Sequence, residues 1–81
     1  MKKITENELK SNVGKSILVI ELVSNDDIEM GYNEMWLCAS QKEANENVVE
    51  MNKRNTDTNY KYIVVKYNVI LDKYGEISLE V

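Results

Sequence analysis

Hydrophobic positions alternate along Tyr60–Leu71, the longest stretch of the chain that is rich in β-branched and aromatic residues. This stretch contains no glycine, no proline and no acidic residue. A period of two is typical of a β-strand, and an unbroken apolar face requires a core to lie against. The pattern therefore predicts a central strand whose core-facing residues are Ile63, Val65, Tyr67, Val69 and Leu71.

Three other segments have patterns typical of strands. They are Ser16–Ser24, residues 32–39 and residues 76–81, and the last of these alternates along its whole length. The polar, acidic stretch of residues 25–31 ends in glycine, which indicates a hairpin connection between the first two. Within the first segment, we expect the residues that face a helix to be Leu18, Ile20 and Leu22.

A capping box near the start of the chain predicts a short helix. Thr5 is followed by Glu8, so the hydroxyl and the carboxylate can each bond a free backbone N–H group at the first turn. Gly14 suits the position just after a helix, and the helix is therefore expected to end near Val13. The apolar residues that it offers to a core are Ile4, Leu9 and Val13.

A second capping box, formed by Ser40 and Glu43, predicts the main helix over Gln41–Arg54. Cations in the last turn suit the helix dipole, and Lys53 and Arg54 lie there. A turn is expected directly after this main helix, at residues 55–59, and another after the strand Tyr60–Leu71, at residues 72–75. The apolar stripe of this helix consists of Ala44, Val48 and Met51.

The elements together predict one α+β domain over residues 1–81, with a short N-terminal helix followed by a ββαββ arrangement. A right-handed crossover through the main helix can place the third strand beside the first. The two most apolar strands, Ser16–Ser24 and Tyr60–Leu71, should be central, because edge strands carry polar residues. We therefore predict a four-stranded antiparallel sheet of order 2-1-3-4 with the main helix on one face.

The second face of this sheet is predicted to be apolar and aromatic. Its expected members are Ile17, Val19, Val23, Tyr32, Trp36, Tyr60, Tyr62 and Val64. Tyrosine and tryptophan often anchor interfaces, and one small helix cannot hide so large a surface. Two interpretations stay open at this point. Either the N-terminal helix covers the face, or a second copy or another protein does.

Composition narrows the class of protein. The chain has 81 residues, a net charge of −4, no histidine and a single cysteine. It contains neither a signal-peptide pattern nor an apolar run that could span a membrane, so a cytoplasmic protein is expected. An acidic surface repels phosphate groups, which argues against direct nucleic-acid binding. A membrane partner is not expected either, because the longest apolar run is only Ile17–Ile20. Nine lysines against one arginine, with no proline, indicate an AT-rich bacterial or phage genome.

The residues that could carry chemistry do not form a known catalytic or metal-binding pattern. Cys38 has no histidine to activate it as a nucleophile. The stretch from Gly14 to Ser16 resembles the end of a phosphate-binding loop, but the first glycine of that motif is missing and a strand follows it. The acidic residues at 26, 27 and 29 lack the spacing of a calcium loop. We therefore expect no enzyme activity, no cofactor and no metal.

These features predict a small acidic protein-binding module, encoded by a phage or mobile element, that inhibits a host nucleic-acid-acting or defence protein. Its partner would be larger and basic, and a homodimer is also expected. The expected partner-binding residues are Asp26, Asp27, Glu29, Tyr32, Glu34, Trp36, Tyr60 and Tyr62. The alternative is a small-ligand protein, which would stack a nucleotide-like molecule on the aromatic face or in a dimer seam.

Overall fold

The computed structural model describes residues 1–24 and 34–81. Within these residues, five strands form one antiparallel sheet and two helices pack against it, which confirms an α+β fold with a single antiparallel sheet. In chain order the elements are β1 (Lys2–Lys3), α1 (Glu6–Ser11), β2 (Ser16–Ser24), β3 (Met35–Cys38), α2 (Gln41–Arg54), β4 (Tyr60–Leu71) and β5 (Ile77–Glu80).

The strand order is β1-β3-β2-β4-β5, so the predicted four-strand order lacked one strand. The additional strand, β1, is two residues long and pairs antiparallel with β3, with Lys2 opposite Leu37 and Lys3 opposite Trp36. The backbone N–H of Ile4 continues this contact by donating to the carbonyl of Met35 at 2.9 Å. Two lysines have no strand pattern of their own, and only the neighbouring strand gives them this conformation.

Both helices begin where their capping boxes predict. The Thr5 hydroxyl accepts a hydrogen bond from the Glu8 N–H at 3.3 Å, and the Ser40 hydroxyl accepts one from the Glu43 N–H at 3.1 Å. The bounds of α2 are those predicted, whereas α1 ends at Ser11, before the predicted end.

The two helices lie on opposite faces of the sheet. We call these the α1 face and the α2 face. α2 packs through Ala44, Val48 and Met51, as its apolar stripe predicts. α1 lies on the other face, where Leu9 of the helix and its flanking residues Ile4 and Val13 pack against the core. The buried residues beneath these three are Ile17, Val19, Met35 and Val69.

The predicted composition of the second face was wrong. In the observed register Val19 lies opposite Val65, and Ile20 lies opposite both Val64 and Trp36. The α1 face therefore carries the odd-numbered residues of β2 and β4, among them Ile17, Val19 and Val23. The α2 face carries the residues that the prediction had grouped with those three, namely Trp36, Tyr60, Tyr62 and Val64. A one-residue difference in register moves every side chain to the opposite face.

The predicted core face of β4 is only partly buried. Val69 is fully buried, and Ile63, Val65 and Tyr67 are half-buried. Leu71, which the alternation also places on this face, is 54% exposed because it lies at the end of the strand, beyond the contacts made by α1.

Candidate functional site

An aromatic patch lies on the α2 face, at the end of the sheet where β4 begins. We define it as Leu22, Trp36, Tyr60 and Tyr62. The rings of Trp36 and Tyr62 meet edge to face, with centroids 5.8 Å apart and an interplanar angle of 62°. Both rings are half-buried, and Tyr60 is 42% exposed. Aromatic rings in this geometry attract each other beyond their burial, which favours this arrangement of the pair.

The register of the sheet brings these residues together from three strands. Leu22 of β2 lies opposite Tyr62 of β4. On its other side, the N–H of Leu22 donates to the carbonyl of Glu34 at 3.0 Å, and Trp36 follows two residues later on the same face. The structure therefore assembles one surface from residues that are far apart in the sequence.

Two asparagine side chains fix the start of β4 against the end of α2. The Asn52 amide accepts a hydrogen bond from the Tyr62 N–H at 2.9 Å and donates one to the Tyr62 carbonyl at 3.0 Å. The Asn55 amide donates to the Tyr60 carbonyl at 2.8 Å. Sequence reasoning missed both residues. The one available signal was a pair of asparagines at the end of a helix that leads directly into a strand.

Glu34 provides a carboxylate at the rim of the aromatic patch. Its side chain is exposed, and one of its oxygens lies 3.5 Å from the Lys3 ammonium group. An exposed ion pair of this kind contributes little to stability and is weakened by salt. Glu34 is thus available to a cationic partner at little cost to the fold.

Half of the expected partner-binding residues can be placed. Glu34, Trp36, Tyr60 and Tyr62 lie close to one another on the α2 face or at its rim. The other four lie outside the described residues. They are Asp26, Asp27, Glu29 and Tyr32.

Glu21 and Tyr67 form a hydrogen-bonded pair on the α1 face. The Tyr67 hydroxyl donates to the two carboxylate oxygens of Glu21, at 3.0 and 3.2 Å. Burial, the hydrogen bond and the charge of Glu21, in that order, raise the pKa of Tyr67 to about 12. The residues opposite Glu21 on the two neighbouring strands, Met35 and Ile63, are apolar and offer its carboxylate no hydrogen bond. The Tyr67 hydroxyl supplies one, so the pair has a structural role.

Cys38 is a buried thiol beneath α2. Burial, and next the charge of Glu43, raise the pKa of Cys38. A thiol with a raised pKa supplies little thiolate at neutral pH, and the environment does not favour nucleophilic chemistry. Cys38 instead packs as a small hydrophobic residue with Ile20 and Ala44.

The segment that resembles a phosphate loop serves the sheet. Gly14 has a φ of +83°, and its N–H donates to the Val69 carbonyl at 2.8 Å. The Lys15 carbonyl accepts a bond from the Val69 N–H at 2.9 Å. These N–H and carbonyl groups extend the pairing of β2 with β4, and the Gly14 N–H is used in that pairing.

A cleft of about 670 Å³ lies at the N-terminus of α2. Its lining includes Lys2, Leu18, Glu43 and Lys66. A Glu43 carboxylate oxygen is 3.0 Å from the amino group of Met1, an ion pair without hydrogen-bond geometry. The aromatic patch lies elsewhere and contributes no ring to the cleft.

Among the described residues, no group of three or more histidine, cysteine, aspartate or glutamate side chains could hold a metal ion. None of the helices in the same part of the chain is long and apolar enough to cross a membrane. No protein-family model matches the chain, and searches of curated proteins and of solved structures found no significant match either.

Proposed function

We propose that the protein is a small, non-enzymatic protein-binding module that acts in the cytoplasm, and that the aromatic patch is its binding surface. The observation that carries this proposal is the edge-to-face pair of Trp36 and Tyr62, which is half-exposed beside α2. Tryptophan and tyrosine are enriched among residues that supply most of the binding energy of an interface.

The backbone beneath the patch is held by hydrogen bonds, which favours a preorganised surface. Trp36 and Tyr62 extend from paired strands, and Asn52 bonds both backbone groups of Tyr62. Side chains that are already fixed lose less conformational freedom when a partner covers them, so more of the contact energy appears as affinity. A partner can therefore gain from these rings without first ordering them.

The expected partner is a larger, basic protein. The chain carries a net charge of −4, and Glu34 stands exposed at the rim of the patch. Opposite charges speed the encounter of two proteins and set their orientation, while the aromatic residues supply the affinity. A groove that normally holds nucleic acid is positively charged and would therefore attract this acidic chain. The proposal is therefore an inhibitor of a host nucleic-acid-acting or defence protein, encoded by a phage or mobile element.

The second candidate function is the binding of a small, nucleotide-like ligand. It is favoured by the cleft at the N-terminus of α2, whose lining includes two lysines. The Glu43 carboxylate in the same cleft opposes a phosphate group, and none of the described residues that line it has an aromatic ring to stack on a base. A thermal-shift screen against nucleotides tests this candidate, since a ligand that binds the folded state raises the melting temperature.

The main proposal is tested by purifying tagged protein from extracts of its host and measuring the affinity of each recovered partner. Trp36→Ala should weaken binding at least about tenfold, in the range typical of residues that dominate an interface. Tyr74→Ala is the matched control, because Tyr74 is a 76% exposed aromatic residue in the turn between β4 and β5. Circular dichroism melts show whether each variant is folded. Equal losses in the two variants, or none in Trp36→Ala, would rule out the aromatic patch as the binding surface.

A further inference from the structure

The two edges of the sheet are built differently. β1 ends one edge with Lys2 and Lys3, and lysines on a very short edge strand discourage pairing with another chain. β5 ends the other edge, over Ile77–Glu80, with apolar residues in alternate positions and neither lysine nor proline. Its one charged residue is Glu80, so this edge is less protected than the edge at β1.

The hydrogen bonds of Val69 show which backbone groups of β5 are open. The N–H and the carbonyl of Val69 bond Lys15 and Gly14, so both point away from β5. The backbone N–H and carbonyl groups of successive residues in a strand point to opposite sides. Those of Asn68 and Ile70 therefore point towards β5, where they bond Glu80 and Ser78. The groups left over in β5 belong to Ile77 and Leu79. They point outward, and no residue in the described part of the chain bonds them.

We infer that β5 pairs antiparallel with β5 of a second copy of this chain, about a two-fold axis that places Leu79 opposite Leu79. In this register Ile77 faces Val81 of the other copy, and Ser78 faces Glu80. The α1 faces of the two sheets then join through apolar residues, and on the α2 face each Ser78 hydroxyl can donate to a Glu80 carboxylate. The strand is thus complementary to itself.

Charge selects this register over its neighbour. If the two-fold axis passed through Ser78, Glu76 of each copy would face Glu80 of the other. Like charges directly opposite each other destabilise a strand pair, and symmetry would impose this repulsion twice. With the axis at Leu79, no acidic residue faces another one. The self-complementary sequence is the reason to expect a second copy at this edge.

The dimer should be weak and reversible. Four residues of strand per copy bury much less than the roughly 1,200–2,000 Å² of a stable interface. Two copies that each carry a net charge of −4 also repel each other, although salt screens this repulsion. The pairing leaves the aromatic patch open, because β5 bonds the opposite end of β4. The inference does not rest on the proposed function.

Sedimentation equilibrium of the wild type and three variants, up to about 1 mM, tests the register. Ser78→Lys should strengthen association about tenfold and Ser78→Glu should weaken it about tenfold, because each change acts on two symmetric pairs with Glu80. Glu76→Gln raises the net charge by as much as Ser78→Lys does, but should change association little. Circular dichroism confirms that each variant folds.

Amide hydrogen exchange of the wild type at low and high concentration provides a test without any substitution. The Ile77 and Leu79 amides should become protected as the concentration rises, whereas those of Ser78 and Glu80 are protected throughout by β4. The inference is overturned if wild type and Ser78→Lys both stay monomeric. It also fails if Glu76→Gln strengthens the dimer as much as Ser78→Lys does, or if the Ile77 and Leu79 amides exchange equally fast at both concentrations.

Discussion

Ionisation of Tyr67 is opposed by the fold, because burial and the carboxylate of Glu21 raise its pKa to about 12. In an unfolded chain a tyrosine ionises near its ordinary pKa of 10.0. Between these two values the folded protein keeps a proton that the unfolded chain has lost. The stabilising contribution of this residue is therefore complete below pH 10 and is lost as the pH rises from about 10 to about 12.

We expect the free energy of unfolding to fall more steeply in the wild type than in Tyr67→Phe over this pH interval. Urea unfolding from about pH 9 to 12 measures both slopes, and their difference removes the effect of lysine ionisation, which the two proteins share. Tyr60→Phe, which removes the hydroxyl of a more exposed ring, is the control and should follow the wild type. Parallel curves for the wild type and Tyr67→Phe would contradict the role assigned to this pair.

Between elements, the Asn52 amide joins α2 to β4 through two hydrogen bonds to Tyr62. It occupies the place that a neighbouring strand would otherwise take at this edge of β4. The bond from Asn55 to Tyr60 continues the contact at the end of the helix. The main helix is therefore attached to the sheet both by its apolar stripe and by these polar bonds.

Asn52→Ala should be less stable than Asn45→Ala by about 1–2 kcal/mol, the usual net value of two hydrogen bonds at a partly exposed site. Asn45 lies on the same helix, is exposed, and its side chain accepts a bond from the Gln41 side chain of that helix. Both substitutions gain the same helix propensity, so their difference isolates the contact with the sheet. Thermal or urea unfolding gives the two values. Equal stability of the two variants would show that the amide bridge contributes nothing.

For the molecule as a whole, the net charge of −4 predicts that association with a partner depends on salt. Charge attraction acts mainly on the association rate and is screened over a Debye length of about 8–10 Å at physiological salt. The acidic side chains expected to add to Glu34 include Asp26 and Asp27.

Asp26→Lys combined with Asp27→Lys should slow association with the recovered partner about tenfold or more at low salt, with a smaller effect at high salt. Stopped-flow or surface-binding kinetics at two salt concentrations measure the rates. Glu46→Lys combined with Glu76→Lys makes the same change in net charge at two exposed positions outside the aromatic patch, and serves as the control. If both double variants slow association equally, net charge alone matters and the acidic residues have no specific place in the interface.

The sequence alone determined the features that depend on nearby residues. The capping boxes at Thr5 and Ser40 fixed the starts of both helices, and the apolar stripe of Gln41–Arg54 gave the helix face that packs on the sheet. The alternation along Tyr60–Leu71 identified the longest strand, which lies inside the sheet. Such signals act over one or two turns of helix or a few residues of strand, and they can be read without knowing the fold.

The tertiary structure decided how these elements meet. The register of β2 with β3 placed Trp36 on the α2 face, and its register with β4 placed Tyr62 there, while α1 closed the opposite face over Ile17 and Val19. β1 became a strand only because β3 offered it an edge. Register and edge pairing depend on contacts between residues far apart in the chain, and a slip of one position reverses the two faces of a strand. Alternation within a strand predicts two faces but cannot say which face of the next strand joins each of them.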